Sequence, residues 1–175
     1  MDISILIQTI VSGILVGGLY ALIALGMTLI FGVMRIINLA HGEFLMVGMY
    51  TCFWLFKLWG VDPYLSIILS IPLLFFLGIF FQRYAILPII KARAPGENQI
   101  LLTAGIGLVL TNVALLLFSP NYFTVLTSYS NATILFKKIS ISLPLFWDFL
   151  ISIGITGILY LFLMKTDVGS SIRAV

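Results

Sequence analysis

The side chains with most chemical capacity in this sequence crowd into one short stretch. Arg35, Asn38, His41 and Glu43 lie between two long apolar runs, and His41 is the sole histidine of the chain. If that stretch is helical, Arg35, Asn38 and His41 recur at every third position and share one face, with Gly42 beside them as a place for the helix to break. Ionisable groups are costly in lipid, so such a face has to meet water, protein or substrate. The same residues also suit a solvated cytoplasmic turn between two helices.

A second polar pattern lies further on. Thr103, Gly107 and Thr111 repeat at every fourth residue and Asn112 adjoins them, giving a small, polar edge on an otherwise apolar helix. Such an edge either packs against a neighbouring helix, with Asn112 bonding across the contact, or lines a path. Together Arg35, Asn38, His41, Glu43, Thr103 and Asn112 are the candidate pathway or coupling residues.

Several chemistries are disfavoured. With one histidine, one cysteine (Cys52) and widely spaced carboxylates, neither a nucleophile–base arrangement nor a metal-ligand set can be assembled. A Gly-x-x-x-x-Gly-Lys-Ser/Thr phosphate loop is missing, so energy from ATP would have to come through a partner. The expectation is a protein that is not an enzyme and binds no cofactor or metal of its own. The nine Lys and Arg residues are scattered rather than gathered in a basic stripe, which argues against nucleic acid.

The elements that must position these residues follow from composition. Hydrophobic residues make up 62% of the 175 positions and charged residues only 9%, and the mean hydropathy is +1.22. A water-soluble core of this size would lack polar surface to cover itself, whereas lipid accepts outward apolar side chains. The expected fold is an all-α membrane protein, a polytopic helical bundle forming one domain over 1–175. It would have about five transmembrane helices, the first long and Gly-rich.

The first run, Ile3 to Met34, is uncharged and would make about 48 Å of helix at ~1.5 Å per residue, against a hydrocarbon core of ~30 Å. It must tilt or break, and Gly13, Gly17, Gly18, Gly26 and Gly32 are candidate breaks. Gly13, Gly17 and Ala21 also form a small-residue stripe that would let another helix approach. The remaining runs are about Leu39 to Phe56, Pro63 to Phe81 with Pro72 inside, Ile100 to Phe118, and Leu145 to Met164. Loops are expected over 82–98 and 119–143, and a polar, basic tail from Lys165. With five crossings and the amino terminus outside, Arg35, Arg83, Lys91, Arg93, Lys165 and Arg173 fall inside and Lys57, Lys137 and Lys138 outside. That six-to-three bias predicts an external amino terminus.

The run Gly17-Gly18-Leu19-Tyr20-Ala21-Leu22 is followed by Gly26-Met27-Thr28-Leu29-Ile30-Phe31-Gly32-Val33-Met34-Arg35-Ile36-Ile37-Asn38-Leu39-Ala40-His41-Gly42-Glu43-Phe44. This order closely resembles the first part of bacterial branched-chain amino acid permeases of the ATP-binding-cassette importer class. Leu102-Thr103-Ala104-Gly105-Ile106-Gly107 and the closing Thr166 to Val175 also look like that family. The resemblance implies a multi-pass inner-membrane subunit working by alternating access. Its implied partners are a homologous permease subunit, two ATPases and a periplasmic substrate-binding protein. It further implies that Gly169, Arg173 and Ala174 lie near the ATPase-docking segment. Family members are usually longer, so the chain is expected to be a truncated product or fragment. Related permeases handle branched-chain amino acids, urea or short amides. A self-sufficient channel or carrier and a non-transporting assembly remnant are the rival readings.

Overall fold

The computed structural model describes residues 3–34, 37–92, 96–136 and 139–173. The chain is a polytopic, all-α membrane protein with a single small hairpin among its described residues. Its described residues fall into two compact units. One contains α1 (Ile3–Met34) and the chain after Leu126, and the other the chain between α1 and Val125.

In the first unit α1 is continuous for 32 residues, so of the two expected outcomes, tilt or break, no break occurs at a glycine. The helix packs on α6 (Leu143–Lys165). Gly18 is the point of closest approach: a Cβ there would lie 2.7 Å from Cε2 of Phe149, inside contact distance. Gly13 and Gly17, by contrast, have open space around them. Of Gly13, Gly17 and Gly18, it is Gly18, one residue from the expected stripe, that turns toward a neighbour.

Residues 119–143, expected as loop, contain an antiparallel hairpin of β1 (Thr133–Phe136) and β2 (Ile139–Ser142), with Ile134 opposite Ile141 and Leu135 opposite Ser140. The alternating Ile-Ser-Ile-Ser of β2 suits a strand with one apolar face, and β2 lies against α1. Pro144 then occupies the first turn of α6, where its missing N–H costs nothing. The carboxyl-terminal tail is also ordered: α7 (Asp167–Arg173) folds back against α6.

The second unit contains α2 (His41–Trp59), α3 (Pro63–Phe81), α4 (Leu87–Lys91) and α5 (Gly96–Phe118). The reversal from α2 to α3 is dictated locally. Gly60 takes the left-handed conformation, φ 65°, so that its N–H reaches Phe56 O at 2.9 Å and that of Val61 reaches Leu55 O at 3.3 Å. Two residues later Asp62 caps α3 by accepting from Tyr64 N at 2.9 Å, with Pro63 at the first helical position. Gly48 admits Leu74 at the α2–α3 contact, and Phe44 meets Phe81 edge-on at 5.7 Å.

α3 does not end in the expected loop after Phe81. It passes through a wide π-turn, Gln82–Ile86, into α4, with Leu87 N–H donating to Gln82 O. Pro88 explains the wide turn, since it has no N–H to offer the carbonyl four residues before it. Residues 63–91 thus form one 29-residue apolar element.

Among the described residues, four helical stretches are long and apolar enough to span a bilayer: Ile3–Val33, Pro63–Lys91, Gly96–Phe118 and Leu143–Lys165. α2, the fifth crossing expected from the sequence, is 19 residues long, about 28 Å at ~1.5 Å per residue. His41, Glu43 and Lys57 near its ends place it below the other four in apolarity. Few side chains are buried in the chain by itself, and Leu116, Ile68 and Phe76 are each more than 65% exposed. That outward apolar surface matches a lipid environment rather than water.

Candidate functional site

Residues 37–40, just before α2, are not helical. Ile37 and Asn38 are irregular, Leu39 and Ala40 form a turn, and α2 starts at His41. Asn38 and His41 therefore do not share a continuous helical face, and the alternative of a turn between two helices is the one seen at residues 37–40. Asn38 instead uses its side chain locally: Oδ1 accepts from Ala40 N at 3.0 Å, while its carbonyl accepts from His41 N at 3.3 Å. An asparagine that bonds its own backbone two residues on competes with helix and starts a turn. Gly42 lies inside the first turn of α2, after the break rather than at it. Arg35 lies outside the described residues.

Thr103 of α5 holds this turn in place. Its Oγ1 accepts from Leu39 N at 3.3 Å and lies 3.2 Å from Ile37 O and 3.0 Å from Ile100 O, either of which can take its proton. The residue is 1% exposed, as is Ala40. One hydroxyl thus satisfies the non-helical backbone that the break leaves without helix partners.

One helical turn along α5, Gly107 meets Glu43. A Cβ on Gly107 would lie 3.2 Å from Cδ and 3.3 Å from Oε2 of the carboxylate. Oε2 is shielded from solvent and has no hydrogen-bond partner among the described residues. The carboxylate stands in the first turn of α2, where the helix dipole favours negative charge. Glycine is the residue that leaves room for it on α5.

The structure therefore sets the turn that carries Asn38 against Thr103 of α5 and Glu43 of α2 against Gly107, with His41 opening α2 between them. Asn112 does not join them. It is exposed, and its Nδ2 donates to Leu108 O of its own helix at 2.7 Å, so the expected bond to a neighbouring helix is not formed within this chain. Sequence reasoning saw Gly107 as a spacer on a polar edge; its service to Glu43 becomes visible only once α2 and α5 are paired. It missed Ile37 and Leu39 altogether, because their contribution is backbone. Among the described residues no cluster of His, Cys, Asp and Glu has a metal-ligating arrangement.

Gly169 and Arg173 lie on α7, in the other unit, and Ala174 lies outside the described residues. Thr166 leaves the helical conformation, with its Oγ1 donating to Phe162 O at 2.7 Å and accepting from Gly169 N at 3.0 Å. Gly169 is buried against the end of α6. A Cβ there would stand 2.6 Å from Leu163 Cα and Phe162 O, both backbone atoms. The turn from α6 into α7 consequently requires glycine at this position.

Comparison with known proteins adds to this geometry. Residues 9–175 match the model of the family described as branched-chain amino acid transport system, permease component. The chain is 32% identical over 172 residues to the probable branched-chain amino acid transport permease protein LivH of Methanocaldococcus jannaschii, covering 92% of this chain and 52% of that protein. Over 47 residues it is 49% identical to the high-affinity branched-chain amino acid transport system permease protein BraD of Pseudomonas aeruginosa. That match covers 27% of this chain and 15% of the relative. LivH of Escherichia coli is 45% identical over 47 residues, with the same coverage. The chain thus spans about half the length of the Methanocaldococcus jannaschii relative. No solved structure matches it significantly.

Proposed function

The chain belongs to the family of branched-chain amino acid transport permease components, and from that premise we propose that it is a membrane-spanning subunit of an ATP-binding-cassette importer. In this reading it passes branched-chain amino acids across the cytoplasmic membrane by alternating access. The observation that carries the reading is the family match over residues 9–175, which takes in every long apolar helix.

Its partners would be a homologous permease subunit, two ATPases that consume the ATP, and a periplasmic binding protein that delivers substrate. The chain itself would catalyse nothing and bind no cofactor, with its amino terminus outside. The pinned turn at residues 37–40 and the carboxylate of Glu43 are the proposed coupling site. α7, fixed to α6 through Thr166 and Gly169, is the proposed neighbourhood of the ATPase contact. Nucleotide bound on the partner shifts the packing equilibrium only by favouring one arrangement over the other. A segment held by a single hydroxyl is suited to having two such arrangements.

Glu43 also supports a second reading, since a shielded carboxylate is what an ion-coupled carrier would use. Uptake of labelled leucine into proteoliposomes containing this chain and its partners separates the two. Uptake that requires a hydrolysing ATPase supports the importer. Uptake that continues with a hydrolysis-dead ATPase, driven by an ion gradient, overturns it.

A further inference from the structure

We propose that the second unit carries a binding site for one anionic phospholipid, whose acyl chain fills a cavity between α2, α3 and α5. The cavity is a groove of about 320 Å³, open on one side, and is walled by Tyr50 and Trp54 of α2, Leu77 of α3, and Leu110, Ala114 and Phe118 of α5. Aromatic contacts fix its outer end: Tyr50 stacks on Phe118 at 4.4 Å, and Trp54 lies 5.6 Å from the same ring.

Two conditions select the occupant. The walls are almost wholly apolar, so water inside would lack the two to four polar partners that hold a buried water. An empty space would forfeit dispersion contacts along its whole lining. An aliphatic chain satisfies both conditions, and lipid surrounds these helices.

The wall offers little for a polar occupant to bond: the Thr51 hydroxyl donates to Val47 O of its own helix at 2.8 Å, and the indole Nε1 of Trp54 is shielded from solvent.

A cation stands just beyond. The Lys57 ammonium is 4.9 Å from the centroid of the Trp54 ring and 5.6 Å from that of Phe53. Lys57 belongs to the last turn of α2, beside the start of one span at Pro63 and the end of another at Phe118, which is interfacial depth. Passing inward from there, the order is cation, aromatic rings, apolar cavity. A phospholipid presents phosphate and acyl chain in that same order, and a phosphate at Lys57 favours an anionic headgroup.

The test uses tryptophan emission from the whole chain in nanodiscs. In a Trp59→Phe, Trp147→Phe background Trp54 is the only reporter, and lipids brominated on the acyl chain quench it on contact. With a small mole fraction of brominated phosphatidylglycerol in unbrominated phosphatidylcholine, Trp54 should be quenched severalfold more than bulk composition dictates, saturating as the fraction rises. A chain retaining only Trp59 should follow bulk composition. Ala114→Leu, which fills the cavity, should abolish the excess. Lys57→Gln should remove the preference for the glycerol over the choline headgroup. Quenching of Trp54 that tracks bulk composition with both lipids overturns the site. Equal excess with both headgroups overturns the anionic assignment.

Discussion

Thr103 and Leu39 are joined by a hydrogen bond from the Leu39 amide to the threonine hydroxyl, 3.3 Å long and across 64 positions of sequence. Through it a transmembrane helix holds a non-helical turn in a setting where an unpaired amide is expensive.

Thr103→Val keeps the shape and removes the hydroxyl. It should cost about 1 kcal/mol, the typical net worth of such a bond, with more if the Leu39 amide is left unpaired. Thr103→Ser should restore most of the loss. Thermal unfolding in detergent measures the stability, and uptake by the assembled transporter should fall in the same order. A valine variant as stable and active as the parent would remove the staple from the mechanism.

Glu43 tests coupling separately from packing. Replacing Glu43 and His41 with apolar residues should depress uptake while assembly with the partner subunits persists. Co-purification reports the assembly and labelled-substrate uptake the transport. Unchanged uptake would sink the assignment of this pair.

Gly107 leaves room for the carboxylate, so enlarging it should act through Glu43. Gly107→Ala brings a methyl within 3.2 Å of the carboxyl carbon and should destabilise mildly. Gly107→Leu should be far worse, on the scale of ~1–3 kcal/mol for overpacking. Combining Gly107→Ala with Glu43→Ala should recover the alanine penalty, and additive losses in a double-mutant cycle would show that the two do not interact.

Gly18 makes the equivalent prediction for the other unit. Gly18→Ala should lower the unfolding temperature because of the Phe149 ring, whereas Gly17→Ala, in open space, should leave it unchanged or raise it slightly. Phe149→Leu should rescue the first variant. Equal effects at the two glycines would contradict the α1–α6 packing.

Gly169→Ala places a methyl against backbone rather than against a flexible side chain, so nothing nearby can yield cheaply. α7 should detach from the end of α6, read as faster proteolysis after Lys165. In the assembled importer the same variant should weaken recovery of the ATPase subunits. Undiminished recovery with a detached α7 would remove α7 from the docking surface.

The sequence by itself determined the solvent and the class. Uncharged runs such as Ile3 to Met34 leave no alternative to lipid-spanning helices, and an ordered string of residues from Gly17 to Phe44 carried the family resemblance. It also marked where the polar chemistry lies, because Asn38, His41, Glu43 and Thr103 are conspicuous against an apolar background. Partnerships were not legible. Helical periodicity says which residues share a face, but not which faces meet, and in a membrane protein nearly every face is apolar enough to pack. Hence Gly18 rather than Gly17 received a neighbour, Asn112 bonded within its own helix, and the turn before His41 was legible only as one of two readings while the bond from Asn38 that stabilises it stayed hidden. The hairpin at 133–142 escaped notice because two four-residue strands give too short an alternation. Only the tertiary structure could pair Thr103 with Leu39 and Gly107 with Glu43, since those contacts depend on how α2 and α5 are registered against each other.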